Sequence, residues 1–238
     1  MADLSGPFLV ALLSGDERGV EELFERAVAR GADLADLARS LVEPSFDEVG
    51  RMWCTGGVSV AEEHLATSLV YRAFSRQAVL VPCPPLGAPR LLLACLAGEF
   101  HELGILIVSE VARAAGWQAE VLGANTPRPA AIRHIAVHRP DAVGLSIALP
   151  SHVPECARTV EEIRKVSPST KTLVGGSAIR HDVALAGLTG ADAGFSDAVA
   201  LRDWLLTNRT CRPVSEAPQP DACRANVAEA LRKRTSGR

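Results

Sequence analysis

Apolar residues recur at helical spacing over the first third of the chain, which predicts a set of packed helices within residues 1–80. Two S-x-x-E patterns, typical of capping boxes, mark expected helix starts: Ser14 with Glu17, and Ser59 with Glu62. Between them we expect helical stretches over 32–42 and 45–53, followed by a break at Gly56–Gly57. The second box opens a helix over 60–77 whose apolar face is typical of a four-helix bundle.

Strand-like and helix-like segments alternate in the second part of the chain. A proline-rich linker, 81–90, precedes this part and predicts a domain boundary. Five apolar strands, each followed by a helix, are expected over 91–207, including a single helix from Ile179 to Leu188. This alternation predicts a flavodoxin-like, five-stranded parallel sheet covered by helices on both faces, so the fold class is a helical cap followed by an α/β domain.

Composition excludes several classes of function. The 25 basic and 28 acidic residues give a net charge of -3, which predicts no general attraction to nucleic acid or to an acidic membrane. The six cysteines form no C-x-x-C pair, which disfavours a zinc ribbon or a dithiol centre. No apolar stretch is long enough to cross a bilayer, and we expect a cytoplasmic protein. The polar segment 208–238 is expected to be a mobile tail with one short helix, Ala225 to Lys233.

The residues with chemical potential follow the predicted strands. Glu99, His101 and Gly104 form an E-x-H-x-x-G pattern after the first strand. The third strand ends at Ser146, and the fourth ends at Gly175-Gly176-Ser177. Ligands of such sheets bind beyond the carboxyl ends of the strands. A histidine there can bind a metal while the nearby carboxylate fixes its tautomer, and glycines allow a flat or elongated ligand to approach the backbone.

These motifs, in this order, resemble those of the B12-binding domain family over about residues 90 to 207. The resemblance implies cobalamin as cofactor, with its cobalt, and His101 as the lower axial ligand of cobalt. It implies that Glu99 orients His101, and that the nucleotide tail of the cofactor lies in a pocket lined by Gly104, Ser146, Gly175, Gly176 and Ser177. Glu99 stands where the family more often has aspartate, and Ala148 stands where it has leucine. Without this resemblance, a flavodoxin-like domain with an unliganded loop histidine is the simpler reading.

The helical part carries a second pattern. Trp53 ends one predicted helix, and Glu63 and His64 lie in the first turn of the next, so the three can converge on one corner. Taken singly, Trp53 fits a core aromatic residue and Glu63 a carboxylate at a helix N-terminus. His64 is expected on the side opposite the apolar face, toward either the cofactor or solvent.

Together with the corrin motif, this pattern resembles the cap of the CarH and AerR family of light-sensing cobalamin proteins. The resemblance implies that Trp53 covers the upper face of the corrin and that Glu63 and His64 contact an adenosyl group. Some of these sensors have a histidine after the tryptophan that binds cobalt after illumination; here the residue is Cys54. Cys54 is therefore a candidate upper ligand, although a small buried residue is the simpler interpretation.

We therefore predict a non-enzymatic photoreceptor that binds adenosyl- or methylcobalamin. Light would change the cap, and with it a homo-oligomer or the binding of a protein partner such as a transcription regulator. No segment ahead of Ser14 is long enough for a helix-turn-helix domain, so direct DNA binding is not expected. The alternatives are a corrinoid methyl carrier of a methyltransferase system and a B12 storage or delivery protein. The remaining histidines are expected at the surface, with only His152 near the ligand edge.

Overall fold

The structure, a computed structural model, describes residues 4–209, so the predicted tail helix over 225–233 lies outside it. The first 80 residues are helical, as expected. Their helices are α1 (Ser5–Ser14), α2 (Glu17–Val28), α3 (Leu34–Leu37), α4 (Glu43–Cys54) and α5 (Val60–Ala78). We call α1–α5 the cap. The stretch 81–89 forms neither helix nor strand.

The first helix boundary predicted from the sequence is wrong. Ser14 does not cap a helix with Glu17; it is the last residue of α1, and its hydroxyl donates to the carbonyl of Ala11 (3.2 Å). Gly15 ends α1 in the left-handed conformation (φ 71°). Asp16 then caps α2, because its carboxylate accepts a backbone N–H from the first turn (2.9 Å). The end of α1 and the start of α2 therefore lie where the sequence indicated only the start of a helix.

The second predicted boundary is confirmed. The Ser59 side chain accepts the backbone N–H of Glu62, and the Glu62 carboxylate accepts the backbone N–H of Ser59, which completes the capping box of α5. The apolar face of α5 is buried as predicted: Ala66, Leu69, Val70, Ala73 and Phe74. Phe74 packs edge-on against Phe24, with ring centroids 6.0 Å apart, in the core of the cap.

Helices α3 and α4 are joined by a π-helical turn over Ala38–Val42, so the chain is helical without interruption from Leu34 to Cys54. The two separate helices predicted over 32–42 and 45–53 are therefore one continuous helical segment. The wider turn closes with a hydrogen bond from the Glu43 N–H to the Ala38 carbonyl.

The α/β part contains a five-stranded sheet in which every neighbouring pair is parallel. The strands are β1 (Arg90–Cys95), β2 (Gln118–Gly123), β3 (Ala142–Ser146), β4 (Lys171–Gly175) and β5 (Ala193–Gly194). Their order is β2-β1-β3-β4-β5, which is the flavodoxin-like order, and the predicted fold class is confirmed. The order reverses between β1 and β3, so the loops after these strands are the expected ligand-binding edge.

Helices cover both faces of the sheet. They are α6 (Leu103–Ala114), α7 (Arg128–His138), α8 (Val153–Val166), α9 (Ser177–His181), α10 (Ala184–Thr189) and α11 (Ala198–Thr207). The single helix predicted over 179–188 is wrong, because α9 and α10 are separate. Asp182 is extended between them (φ -144°, ψ 93°), and its carboxylate accepts the N–H of Ala184 (3.0 Å).

The cap packs on α6 and α11. Its buried core includes Ile107 and Val111 of α6 and Ala198 of α11. Polar contacts join the two parts as well: Arg202 with Asp33 (2.6 Å), the Ala198 N–H with Glu43 (3.1 Å), and Arg180 with Asp47. The cap is therefore attached through α6, α9 and α11.

The domain limits 1–80, 81–90, 91–207 and 208–238 stay a prediction. Within residues 4–209, none of the helices has the length and apolar character needed to cross a membrane.

Candidate functional site

A cavity of about 910 Å³ lies between the cap and the carboxyl ends of the strands. All but one of the candidate residues line it: Trp53, Cys54, Glu63, His64, His101, Gly104, Ser146, Gly175, Gly176 and Ser177. The exception, Glu99, lies behind His101 and is fully buried. Sequence motifs that are up to about 120 residues apart therefore converge on one space. Parallel-sheet topology brings together those that follow β1, β3 and β4, and the packing of the cap adds the others.

The cavity continues from this rim along the sheet. There its walls are apolar side chains of β1, β4 and α6: Leu91, Leu93, Leu173, Ile105 and Ile107. A polar rim over an apolar interior is typical of sites for large organic cofactors. Gly104, in the first turn of α6, has no heavy atom within 4 Å of where a Cβ would stand. Gly104 is thus not needed for close helix packing; its lack of a side chain leaves room in the cavity.

The loop after β1 holds a buried carboxylate with every acceptor position used. Glu99 Oε1 accepts the backbone N–H of His101 (3.0 Å) and contacts His101 Nδ1 (2.6 Å). Glu99 Oε2 accepts the backbone N–H of Ala148 (2.8 Å) and contacts His152 Nδ1 (3.0 Å). A carboxylate has about four lone-pair positions, so Glu99 is saturated.

The charge on Glu99 follows from these contacts. Burial raises its pKa, but the hydrogen bonds from His101, Ala148 and His152 outweigh burial and lower the pKa to about 2. Glu99 is therefore ionised and can only accept hydrogen bonds, so Nδ1 of His101 carries the proton. The hydrogen bond to Glu99 raises the pKa of His101, against the opposing effect of burial.

His101 thus has one ring nitrogen fixed and one free. Its Nδ1 is held by Glu99, and 66% of its side chain is exposed toward the cavity and its mouth. The free Nε2 of the neutral ring is a lone-pair donor, which is the form that binds metals. A carboxylate on the other nitrogen increases the basicity of such a ligand.

His152 was expected at the surface, and this prediction is wrong. Only 17% of its side chain is exposed, and Nδ1 lies 3.0 Å from Glu99 Oε2. His152 is in the 3₁₀ turn Pro150–His152 after β3, so it approaches Glu99 from a loop other than that of His101. Its expected position near the ligand edge of the sheet agrees with the structure, and a buried carboxylate in need of several donors is the signal that could have identified its partner.

Cys95 supports the same loop from below. Its thiol lies 3.5 Å from the carbonyl oxygen of His101 and acts as the donor. Burial raises the pKa of Cys95 to about 12, with the charge of Glu99 adding to the effect, so it stays a thiol. Ser146, the last residue of β3, lies beside this thiol and lines the cavity.

The loop after β4 is tied to the loop after β3. The Ser177 hydroxyl donates to the Ala148 carbonyl (3.0 Å), and the Ile147 N–H donates to the Gly175 carbonyl (2.9 Å). Gly176 has φ 110° and ψ 175°, a conformation open in practice only to glycine. A Cβ at Gly176 would stand 2.5 Å from the carbonyl oxygen of Ile147. The glycine pair therefore brings backbone, rather than side chains, to the cavity wall.

The cap provides the other wall. Trp53, at the end of α4, is 52% exposed, so the reading as a core aromatic residue is wrong. Glu63 accepts the Thr67 hydroxyl (2.9 Å) and contacts His64 Nδ1 (2.6 Å). Its charge also contributes to the raised pKa of His101, so the two walls face each other closely enough to interact. Cys54 is exposed, against the reading as a small buried residue.

The family of the chain follows from matches that cover both of its parts. Residues 89–201 and residues 7–76 each match a family model described as a B12 binding domain. The chain belongs to the B12-binding domain family. Cobalamin is accordingly its cofactor, and the cavity fits such a group: an exposed imidazole with a fixed tautomer faces a space that continues along an apolar crevice.

Three proteins that are similar to this chain cover much of its length. Two are transcriptional repressors of the HTH type from Myxococcus xanthus: CarH, 30% identical over 179 residues (74% of this chain and 58% of CarH), and CarA, 32% identical over 147 residues (62% and 51%). The chain therefore spans about half the length of these curated relatives. The solved monomethylamine corrinoid protein of Methanosarcina barkeri has the same fold, with a TM-score of 0.67 at 17% identity, covering 84% of this chain and 95% of that one.

The buried carboxylate predicts an acid-sensitive fold. Glu99 has a folded-state pKa of about 2, below its ordinary value, so its stabilising effect is complete above the ordinary pKa and is lost as pH falls toward 2. The size is on the order of 3 kcal/mol. We expect the free energy of unfolding of the cofactor-free protein to fall between about pH 5 and about pH 2. Urea unfolding at each pH measures it, and Glu99→Gln should show a smaller slope; equal slopes would contradict the assignment.

Proposed function

We propose that this B12-binding protein is a light sensor that holds adenosyl- or methylcobalamin between the cap and the sheet. The observation that supports it is the pairing of two walls: His101 on the sheet side, and Trp53 with the Glu63–His64 pair on the cap side, lining one cavity. The similarity to two transcriptional repressors over more than half of the chain supports a regulatory, non-catalytic role.

The residues of the sheet edge would hold the cofactor from below. In this proposal His101 gives Nε2 to cobalt in place of the dimethylbenzimidazole of the cofactor, and Glu99 fixes the ring. The nucleotide tail would enter the crevice beside Gly104 and Ser146, where the walls are apolar. The backbone of Gly175-Gly176-Ser177 would border it, because no Cβ intrudes there.

The residues of the cap would cover the alkyl group. Bound cobalamin supplies a weak cobalt–carbon bond that green or blue light breaks. Trp53, Glu63 and His64 would contact the alkyl group in the dark and lose those contacts once it leaves. Cys54, on the same rim, offers a thiol as a candidate upper ligand in the light state.

The polar contacts that attach the cap to the sheet part involve only one end of α4, which supports a movement of its other end. The polar contacts between Glu43 and Ala198 and between Asp47 and Arg180 hold the first half of α4 to the sheet part. Trp53 lies at the other end of α4 and is half exposed. A change in what Trp53 contacts would therefore shift the free end of α4 first, and with it the surface available for self-association or for a protein partner.

A corrinoid methyl carrier is the second candidate. A corrinoid protein of Desulfitobacterium hafniense is 23% identical over 184 residues, covering 80% of its own length, which is a larger share than for the repressors. In a carrier the cap would open to a methyltransferase rather than respond to light. Storage or delivery of cobalamin would require neither response.

The decisive experiment compares dark and illuminated protein. We expect protein loaded with adenosylcobalamin in the dark to change its absorption spectrum and its oligomer size, measured by light scattering, after green illumination. Protein loaded with hydroxocobalamin, which has no alkyl group, is the control and should change neither. A changed spectrum with the same size and the same partners would leave a photolabile cofactor without a switch and would favour the carrier or storage role.

A further inference from the structure

The loop after β2 is joined by hydrogen bonds to the loop after β1. The backbone N–H of Asn125 donates to the carbonyl oxygen of Glu99 (2.7 Å), and the side-chain oxygen of Asn125 accepts the backbone N–H of Gly98 (2.8 Å). A third bond joins the same two loops, from the N–H of Ala124 to the carboxylate of Glu102 (3.2 Å). Asn125 therefore holds the backbone at two points, one before and one after the Cα atom of Glu99.

The end of β2 is distorted in a way that brings Asn125 to this position. The ladder between β1 and β2 shifts by one residue: Leu93 pairs with Val121, but the next residue of β1 pairs with Gly123. One extra residue of β2 is thus inserted, which makes a β-bulge. Gly123 then has φ 88° and Asn125 has φ 48°, both in the left-handed region. Asn125 is one of two non-glycine residues with a positive φ in the described part of the chain.

Distortions of this kind persist only where surrounding contacts hold them, and they concentrate at binding sites. Asparagine suits the position because it tolerates left-handed backbone better than most residues with a side chain and because its short amide can bond nearby backbone. Yet β2 is an edge strand, and Asn125 does not line the cavity. The bulge and the left-handed residue therefore serve the neighbouring loop, whose residues do line it.

The backbone position of Glu99 bears directly on His101. The Glu99 carboxylate bonds both the backbone N–H and the Nδ1 of His101 (3.0 and 2.6 Å). Because Glu99 is fully buried, the packing around its side chain leaves little room to absorb a movement of its Cα atom. A shift of that atom would therefore pass through the carboxylate to the imidazole.

We infer that Asn125 is a positioning residue for His101. It fixes the backbone of Glu99 from the loop after β2, and Glu99 passes that position on to the ring. The inference rests on the proposed role of His101 as lower axial ligand of cobalt. It adds that the loop after β2, which carries none of the motif residues, determines how firmly that ligand is held.

The test separates the side-chain acceptor of Asn125 from its backbone conformation. Asn125→Gly removes the acceptor but adopts a positive φ without strain. Asn125→Asp keeps an acceptor and tolerates the same backbone. Asn125→Ala lacks the acceptor and disfavours the left-handed backbone.

The matched control is Thr170→Val. The hydroxyl of Thr170 donates to the carbonyl oxygen of Pro140 (2.7 Å), so it also joins two loops through a side-chain hydrogen bond. These loops precede β3 and β4 and lie at the edge of the sheet opposite to the cavity mouth. The control removes a comparable bond without touching the loop after β1.

Three quantities are measured on the whole chain. The first is hydrogen exchange of the His101 backbone N–H in the cofactor-free protein, since this group bonds Glu99 and not Asn125. The second is the rate of cobalamin release in the dark. The third is the electron paramagnetic resonance spectrum of the Co(II) form, with and without isotopically labelled histidine nitrogen, which reports whether a protein imidazole is bound to cobalt.

We expect Asn125→Gly to exchange the His101 N–H about 3- to 10-fold faster, the effect of one lost hydrogen bond. It should release cobalamin about 10-fold faster, at the lower end of the range for partners of metal-bound histidines, and show a weaker histidine signal. Asn125→Asp should stay within about threefold of wild type in both rates. Asn125→Ala should be impaired at least as much as Asn125→Gly. Thr170→Val should lose stability but match wild type in all three measurements.

Wild-type exchange at His101 in Asn125→Gly would overturn the inference, whatever group binds cobalt. Equal impairment of the Asp and Gly variants would overturn it as well, because the acceptor would then not be the cause. If Asn125→Ala does not fold, the comparison of Gly with Asp decides alone. A wild-type protein that shows no histidine signal from cobalt would instead contradict the proposed role of His101, so the two failures are distinguishable.

Discussion

Replacing His101 with alanine should weaken cobalamin binding by on the order of 100-fold or more, because partners of metal-bound histidines alone contribute 10- to 100-fold. The cofactor that remains bound should keep its own dimethylbenzimidazole on cobalt, since the loop then offers no nitrogen in this position. A dark titration followed by absorption measures both effects. Added imidazole should occupy the vacated space and restore part of the wild-type spectrum.

His181→Ala is the matched control for this variant. His181 also lines the cavity and is 62% exposed, but its carboxylate neighbour, Asp47, is 3.6 Å away and lies in the cap. We expect His181→Ala to keep the coordination of the wild type. If His101→Ala bound cobalamin as tightly as His181→Ala, with an unchanged spectrum, another residue would have to be the cobalt ligand.

Gly176→Ala should lower the free energy of unfolding by more than about 3 kcal/mol. Two costs combine: the backbone at φ 110° and ψ 175° is strained for any residue with a side chain, and the new Cβ would stand 2.5 Å from the Ile147 carbonyl oxygen. That oxygen is backbone of the neighbouring strand loop and cannot move without breaking its bond from the Ala178 N–H. Urea unfolding of the cofactor-free protein measures the loss.

The control for Gly176→Ala is Gly187→Ala. Gly187, in α10, has no heavy atom within 4 Å of its missing Cβ and no left-handed backbone. We expect that variant to be as stable as wild type or slightly more stable. If Gly176→Ala lost as little stability as Gly187→Ala, the glycine loop would tolerate a side chain and the close backbone approach would not be essential.

The sequence predicts the fold well where the pattern of apolar and polar residues is strong. Five apolar runs with helices between them give the sheet, and the motif residues at their ends fall at one edge because parallel strands require it. The errors lie where a local polar contact outweighs the pattern. Asp16 took the cap position expected for Ser14, and Asp182 divided the helix expected over 179–188. Such choices depend on competing donors and acceptors that spacing alone does not rank.

The candidate site was less fully predicted than the fold. Glu99 and His101 are two residues apart, so their contact follows from sequence, but His152 is 53 positions from Glu99 and belongs to no motif. Only the folded chain brings its ring to the carboxylate. Trp53 and Cys54 likewise became informative once their exposure was known, because apolar and sulfur side chains are more often buried.

The π-helical turn over Ala38–Val42 determines which way α4 faces. It contains one residue more than an α-helical turn, and each residue of an α-helix rotates the chain by about 100° around the axis. An ordinary turn there would swing Glu43, Asp47 and Trp53 together through that angle. Glu43 would leave the N-terminus of α11, and the indole would no longer border the cavity. The direction in which the Trp53 side chain points around the axis of α4 is thus set by main-chain hydrogen bonding more than ten residues upstream of it.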